Sequence, residues 1–163
     1  MSRTGLSIGG AFLAVALTAS SVVFGQDPNP ASPSEVIYAR KTLMNSIAAN
    51  MYPIDGMLET GKIDLVNGRA NAESISAMLM AFPHLFPNST NLWFANAKRD
   101  PATDTLADAA IWESRSFFNK EAMAASKYAF DASRAQNISD FSKSARDLRQ
   151  TCDGCHSTYQ HKD

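Results

Sequence analysis

The run Cys152-Asp153-Gly154-Cys155-His156, close to the C-terminus of this 163-residue chain, constrains the fold more than any other feature. Two thiols three residues apart, with an imidazole beside the second, fit a single helical turn. Each thiol can add to one vinyl group of a haem, and the histidine then sits under the iron as axial ligand. The expected cofactor is one covalently attached haem c, held by Cys152 and Cys155 with His156 on the metal. These are the chain's only two cysteines, so no sulfur-rich tetrahedral metal site can form. A thioredoxin-like redox pair and a plain disulfide are the competing readings. No βαβ pattern surrounds the motif, and a redox pair usually opens a helix near the start of a fold.

The N-terminus speaks to compartment. Residues 1–25 open with Arg3, continue through the apolar run Ala11 to Leu17 and close with small residues, with Val23 and Gly25 before an expected cleavage at Gln26. The apolar run is short for a membrane span and lacks a stop-transfer charge cluster, so it reads as a secretory signal peptide rather than a retained anchor. Haem attachment of this kind takes place outside the bacterial inner membrane, so both ends of the chain point to the periplasm. Removal of the signal leaves residues 26–163 as one domain with a formal charge of −2. That balance argues against a nucleic-acid partner, which would need a basic stripe, and no membrane span is expected after processing.

Hydrophobic spacing predicts four helices. The leader from Gln26 to Pro33 reads as non-helical, with Ser34 as the N-cap of the first helix. That helix runs to about Tyr52 with Ile37, Arg40, Met44, Ile47 and Met51 on one stripe; Pro53 and Gly56 interrupt it, and Gly61 ends whatever continues through Met57 and Leu58. The second spans about Asp64 to Ala81, buries Leu65, Ile75, Met78, Leu79 and Phe82, and carries an unfavourable Gly68 in its first turns. Pro83 and Pro87 end it. A long polar connection from Asn88 to Asp104 follows, with Trp93 and Phe94 as expected anchors. The third helix is expected from Asp104 to Ala135, carrying Leu106, Ile111, Trp112, Phe118, Met123 and Tyr128. The fourth runs from Ser139 to about Tyr159 with Phe141, Ala145 and Leu148 facing inward. The expected fold is all-α, a four-helix bundle with the haem hung from the last helix against the first.

Three segments together resemble the class II cytochromes c, the family of the cytochromes c prime, over essentially the whole mature chain. They are Cys152 to His156 followed by Tyr159, Tyr38 to Met44 on the first helix, and Leu85-Phe86-Pro87 with Ala110-Ile111-Trp112 beyond the loop. Many members carry a basic residue after the aromatic that follows the haem motif. This chain has Gln160 there, with His161 and Lys162 beyond it as alternative sources of charge near the haem propionates.

The resemblance implies roles for two residues of the first helix. Met44 falls where the family places the residue facing the open side of the iron. In the low-spin branch a methionine here is the sixth ligand; in the cytochromes c prime the residue only shields an open site. Plain core packing is the third reading of Met44, since the chain holds seven methionines. Arg40, one turn earlier, would pair with a haem propionate, or else be an ordinary surface residue. His84 reads as a surface histidine, and His161 lies too near the tail to reach the iron.

Electron transfer in the periplasm, with His156 and Met44 as axial ligands and periplasmic redox proteins as partners, is the function this reading favours. The alternative is a five-coordinate protein binding nitric oxide or carbon monoxide. An enzyme such as a peroxidase would need a polar acid–base group on the open side, and the first helix offers only Arg40. The expectation is therefore a non-enzyme. The family resemblance also allows a homodimer through the first two helices.

Overall fold

A computed structural model describes residues 30–95, 100 and 104–162. The signal-peptide reading falls outside the described residues. The described residues form helices α1 (Pro33–Thr60), α2 (Leu65–Ala81), α3 (Ala110–Glu113), α4 (Arg115–Arg134) and α5 (Ile138–Tyr159). The four long ones make the expected bundle, and α3 is a single turn before α4. None is long and apolar enough to cross a membrane.

The first helix is longer at both ends than expected. Its N-cap is Ser32, whose hydroxyl accepts from the Glu35 amide at 3.3 Å while the Glu35 carboxylate accepts from the Ser32 amide at 2.7 Å. This reciprocal box, with Pro33 at the first helical position where its missing N–H costs nothing, starts the helix before the expected Ser34 cap. At the other end Pro53 does not stop the helix. Ile54, fully buried beyond it, and half-buried Met57 and Leu58 continue the apolar face, so burial offsets the lost hydrogen bond. Gly61 ends α1 with φ of 69°.

Asp64 caps α2, accepting from the amides of Val66 and Asn67 at 3.1 Å each. Gly68, unfavourable by propensity, is explained by packing. A Cβ there would stand 2.5 Å from the Phe141 ring of α5, so a glycine lets the two helices meet. Small residues do the same work on α4, where Ala122, Ala125, Ser126, Ala129 and Ala132 form the buried face. Ser76 of α2 and Ser126 exchange hydrogen bonds, each hydroxyl donating to the other's carbonyl at 3.0 Å. The core falls into two clusters. Ile47, Met51, Ile54, Ile75, Leu79, Phe141 and Leu148 belong to the larger, and Phe82, Phe86, Ile111, Phe118 and Tyr159 make the smaller.

The expected third helix is the largest departure. Described residues 104–109 are not helical, and Ser114 breaks α3 from α4 with φ of −122°. The segment instead docks on the end of α5: the Asp108 amide donates to the Tyr159 carbonyl at 2.9 Å, and the His161 amide donates to Leu106 at 2.8 Å. Phe94 and Met123 are exposed rather than anchoring or buried.

Candidate haem site

One turn of α5 carries Cys152, Cys155 and His156. Cys152 packs against the larger core cluster and Cys155 against the smaller, so the motif sits at the seam between them. Across that seam, Leu43 and Met44 of α1 pack against both clusters. Two cavities open here, of about 440 and about 80 Å³, and both are lined by Met44, Phe82, Phe118, Cys155 and His156. Met44 and His156, far apart in sequence, therefore face the same space.

The donor set fits a haem c. Both cysteines are free thiols. Burial raises both above their ordinary value, Cys155 to about 11 with its neighbour Cys152 adding to the effect. Desolvation, and then the Arg149 cation, hold the His156 imidazole below its usual value, which favours the neutral form that coordinates iron. Aromatic side chains build the wall. Phe82 meets Phe86 edge-on at 5.1 Å, Phe86 meets Phe118 at 4.9 Å, and Phe118 meets Tyr159 at 5.3 Å. An apolar slot of this kind suits a macrocycle, while Arg40, Lys41 and Thr105 on the larger cavity supply groups suited to propionate carboxylates.

Arg40 is buried, only 4 % exposed. Its guanidinium donates to the Thr90 hydroxyl at 2.9 Å, the Thr90 carbonyl at 3.4 Å and the Thr105 hydroxyl at 2.5 Å, and it lies 4.8 Å from the centre of the Phe86 ring. Burial lowers its pKa to about 10, so it stays charged at neutral pH. The Thr90 hydroxyl in turn donates a hydrogen bond to the Pro87 carbonyl at 2.8 Å. The Phe86 carbonyl takes hydrogen bonds from the Trp112 indole at 3.1 Å and from Arg115 at 2.5 Å. Arg40 thus ties α1 to the connection that walls the cavity.

Thr90 and Thr105 carried no local sign of this role, because isolated threonines in a loop have no periodicity to read. The available signal was Arg40 itself, a charged residue on an otherwise apolar stripe that had to find partners. His161 lies outside the cavity lining. It pairs with Asp108 at 2.7 Å and stacks on Trp93 with ring centres 3.4 Å apart. Arg40 and Lys41 both line the larger cavity, and Gln160 shares that lining. His84 is exposed, as expected.

A family model described as cytochrome c′ matches residues 35–160, nearly all of the domain. The chain belongs to the cytochrome c prime family. It is therefore a c-type haem protein, with covalently attached haem c as its cofactor. Among solved structures, cytochrome c prime from Thermochromatium tepidum is 23% identical with a TM-score of 0.68, covering 81% of this chain and 98% of that one. Cytochrome c prime from Shewanella frigidimarina is 21% identical with a TM-score of 0.67, covering 82% and 100%. A variant of the Alcaligenes xylosoxidans protein, in complex with nitric oxide, is 16% identical with a TM-score of 0.66, covering 82% and 100%. At these identities the likeness establishes the shared bundle fold. No curated protein matches the sequence.

Proposed function

We propose that this chain is a periplasmic gas-binding haem protein, with His156 as the one axial ligand from the protein and an apolar open side. The observation that carries this reading is the setting of Met44. Its half-buried side chain packs against both core clusters and shares the cavity wall with Phe82 and Phe118. A thioether wedged in that way acts as a gap-filling wall. The nitric oxide complex among the structural neighbours supports the same reading.

Haem c, when bound, supplies an iron that cycles between ferrous and ferric and can take a diatomic ligand. Cys152 and Cys155 anchor it to α5, and His156 offers its imidazole nitrogen. Met44, Phe82 and Phe118 exclude water and present no hydrogen-bond donor, which favours small neutral gases over anions. Arg40 faces the same space, but its terminal nitrogens donate to Thr90 and Thr105. A distal acid–base pair is thus unsupported, and the reading is binding rather than turnover. The periplasmic placement rests on the N-terminal leader.

Electron transfer with Met44 as sixth ligand is the second reading, favoured by the fact that Met44 and His156 line the same two cavities. The ferric optical spectrum separates the two. A high-spin spectrum without a sulfur–iron band at the red end of the visible is expected. A low-spin spectrum carrying that band, abolished in Met44→Ala, would transfer the assignment to electron transport.

A further inference from the structure

We propose that Arg149 is a positioning residue that sets the reduction potential of the haem, acting as the cation of a three-residue charge cluster. Among the residues lining the smaller cavity, Arg149 is the one lysine or arginine, and it shares that lining with Cys152, Cys155 and His156. Its guanidinium bridges two elements. One terminal nitrogen meets the Asp55 carboxylate of α1 at 3.3 Å, and the other meets Asp153, inside the haem motif, at 2.5 Å.

All three side chains are partly exposed, so their pairing adds little to stability. Their larger consequence is the field at the cavity. Ferric iron carries one positive charge more than ferrous iron, so a nearby cation disfavours oxidation and nearby carboxylates favour it. The cluster holds two carboxylates and one guanidinium. Without Arg149, two anions are left beside the motif with no cation between them, and the ferric state gains. Meeting Asp153 from one turn before the motif and Asp55 on the neighbouring helix, the guanidinium also links the turn that bears both thiols to α1.

This inference rests on His156 being the axial ligand, so the test reads potential and spectrum together on the haem-loaded protein. Spectroelectrochemical titration of Arg149→Gln should give a lower midpoint potential than the unmodified protein. The expected fall is up to about 59 mV, a tenfold change in the ferrous-to-ferric ratio for a one-electron couple. Arg149→Lys, which keeps the charge, should restore most of it, and Asp55→Asn should move the potential the opposite way. Merely loosened packing would shift Arg149→Gln and Asp55→Asn in the same direction, and that outcome overturns the proposal. Coincident potentials in haem-loaded variants with unchanged spectra overturn it too. An altered axial-ligand spectrum in His156→Ala is required by the underlying assignment; an unaltered one defeats that assignment and the cluster with it.

Discussion

Arg40 donates a 2.5 Å hydrogen bond to the hydroxyl of Thr105 across 65 residues of sequence, joining α1 to the segment that closes the cavity. The guanidinium is buried and its charge persists at neutral pH, so each oxygen around it matters. Thr105→Val keeps the shape and removes an acceptor of a charged donor. The variant should be less stable by about 1.5–3 kcal/mol, as measured by denaturant unfolding of the haem-loaded protein. Thr105→Ser, which keeps the hydroxyl, should recover most of that loss.

Gly68 and Phe141 set how closely α2 and α5 approach. With a Cβ reaching to 2.5 Å of a fully buried ring, Gly68→Ala forces the Phe141 ring or one of the two helices to shift. Overpacking of this kind costs about 1–3 kcal/mol, against the gain that helix propensity alone would give. Pairing it with Phe141→Leu should return part of the stability, a coupling that a double-mutant cycle measures.

These two relationships also show what could and could not be read in advance. The α1 stripe of Ile37, Arg40, Met44, Ile47 and Met51 does face inward, because helical periodicity is a local property. The haem motif was legible for the same reason, with all its parts inside one turn. The continuation of α1 through Pro53 was not, since the compensating burial of Ile54 is a tertiary effect. Nor was the non-helical stretch before Ala110. Backbone pairing of Asp108 with Tyr159 and of His161 with Leu106 holds it, and contacts at that separation leave no local pattern. Gly68 read as a weakness until its partner ring was in view.

Asp64 makes one end of α2 sensitive to acid. Hydrogen bonds from Asn67, backbone and side chain, and then from the Val66 amide hold its carboxyl below the ordinary carboxylate value. A depressed folded-state pKa gives stability that is fully present above the unfolded value, about 3.9, and is lost as pH falls through the lower folded one. Asp64→Asn keeps a capping oxygen without the titration. Thermal midpoints of the two proteins should therefore differ in their slope against pH below about pH 4 and run parallel above it.

Covalent attachment is expected to divide between the two thiols. Mass spectrometry of the exported protein should show the chain from about Gln26 plus one haem that survives acid–acetone extraction. Cys152→Ala and Cys155→Ala should each retain haem through a single thioether, and the double variant should lose it on extraction. An unmodified protein carrying a Cys152–Cys155 disulfide instead would contradict the attachment.

Rapid mixing of the ferrous protein with carbon monoxide bears most directly on the role of Met44. If the side chain is wall and the iron is open, the observed rate rises in proportion to carbon monoxide concentration without a plateau, and Met44→Ala changes only its slope. If the thioether is a ligand, it must leave before the gas can bind. The rate would then level off at a value independent of carbon monoxide, and the plateau would vanish in Met44→Ala. A linear dependence is the result expected here; a plateau of that kind would contradict the gas-binding assignment and make this chain an electron carrier.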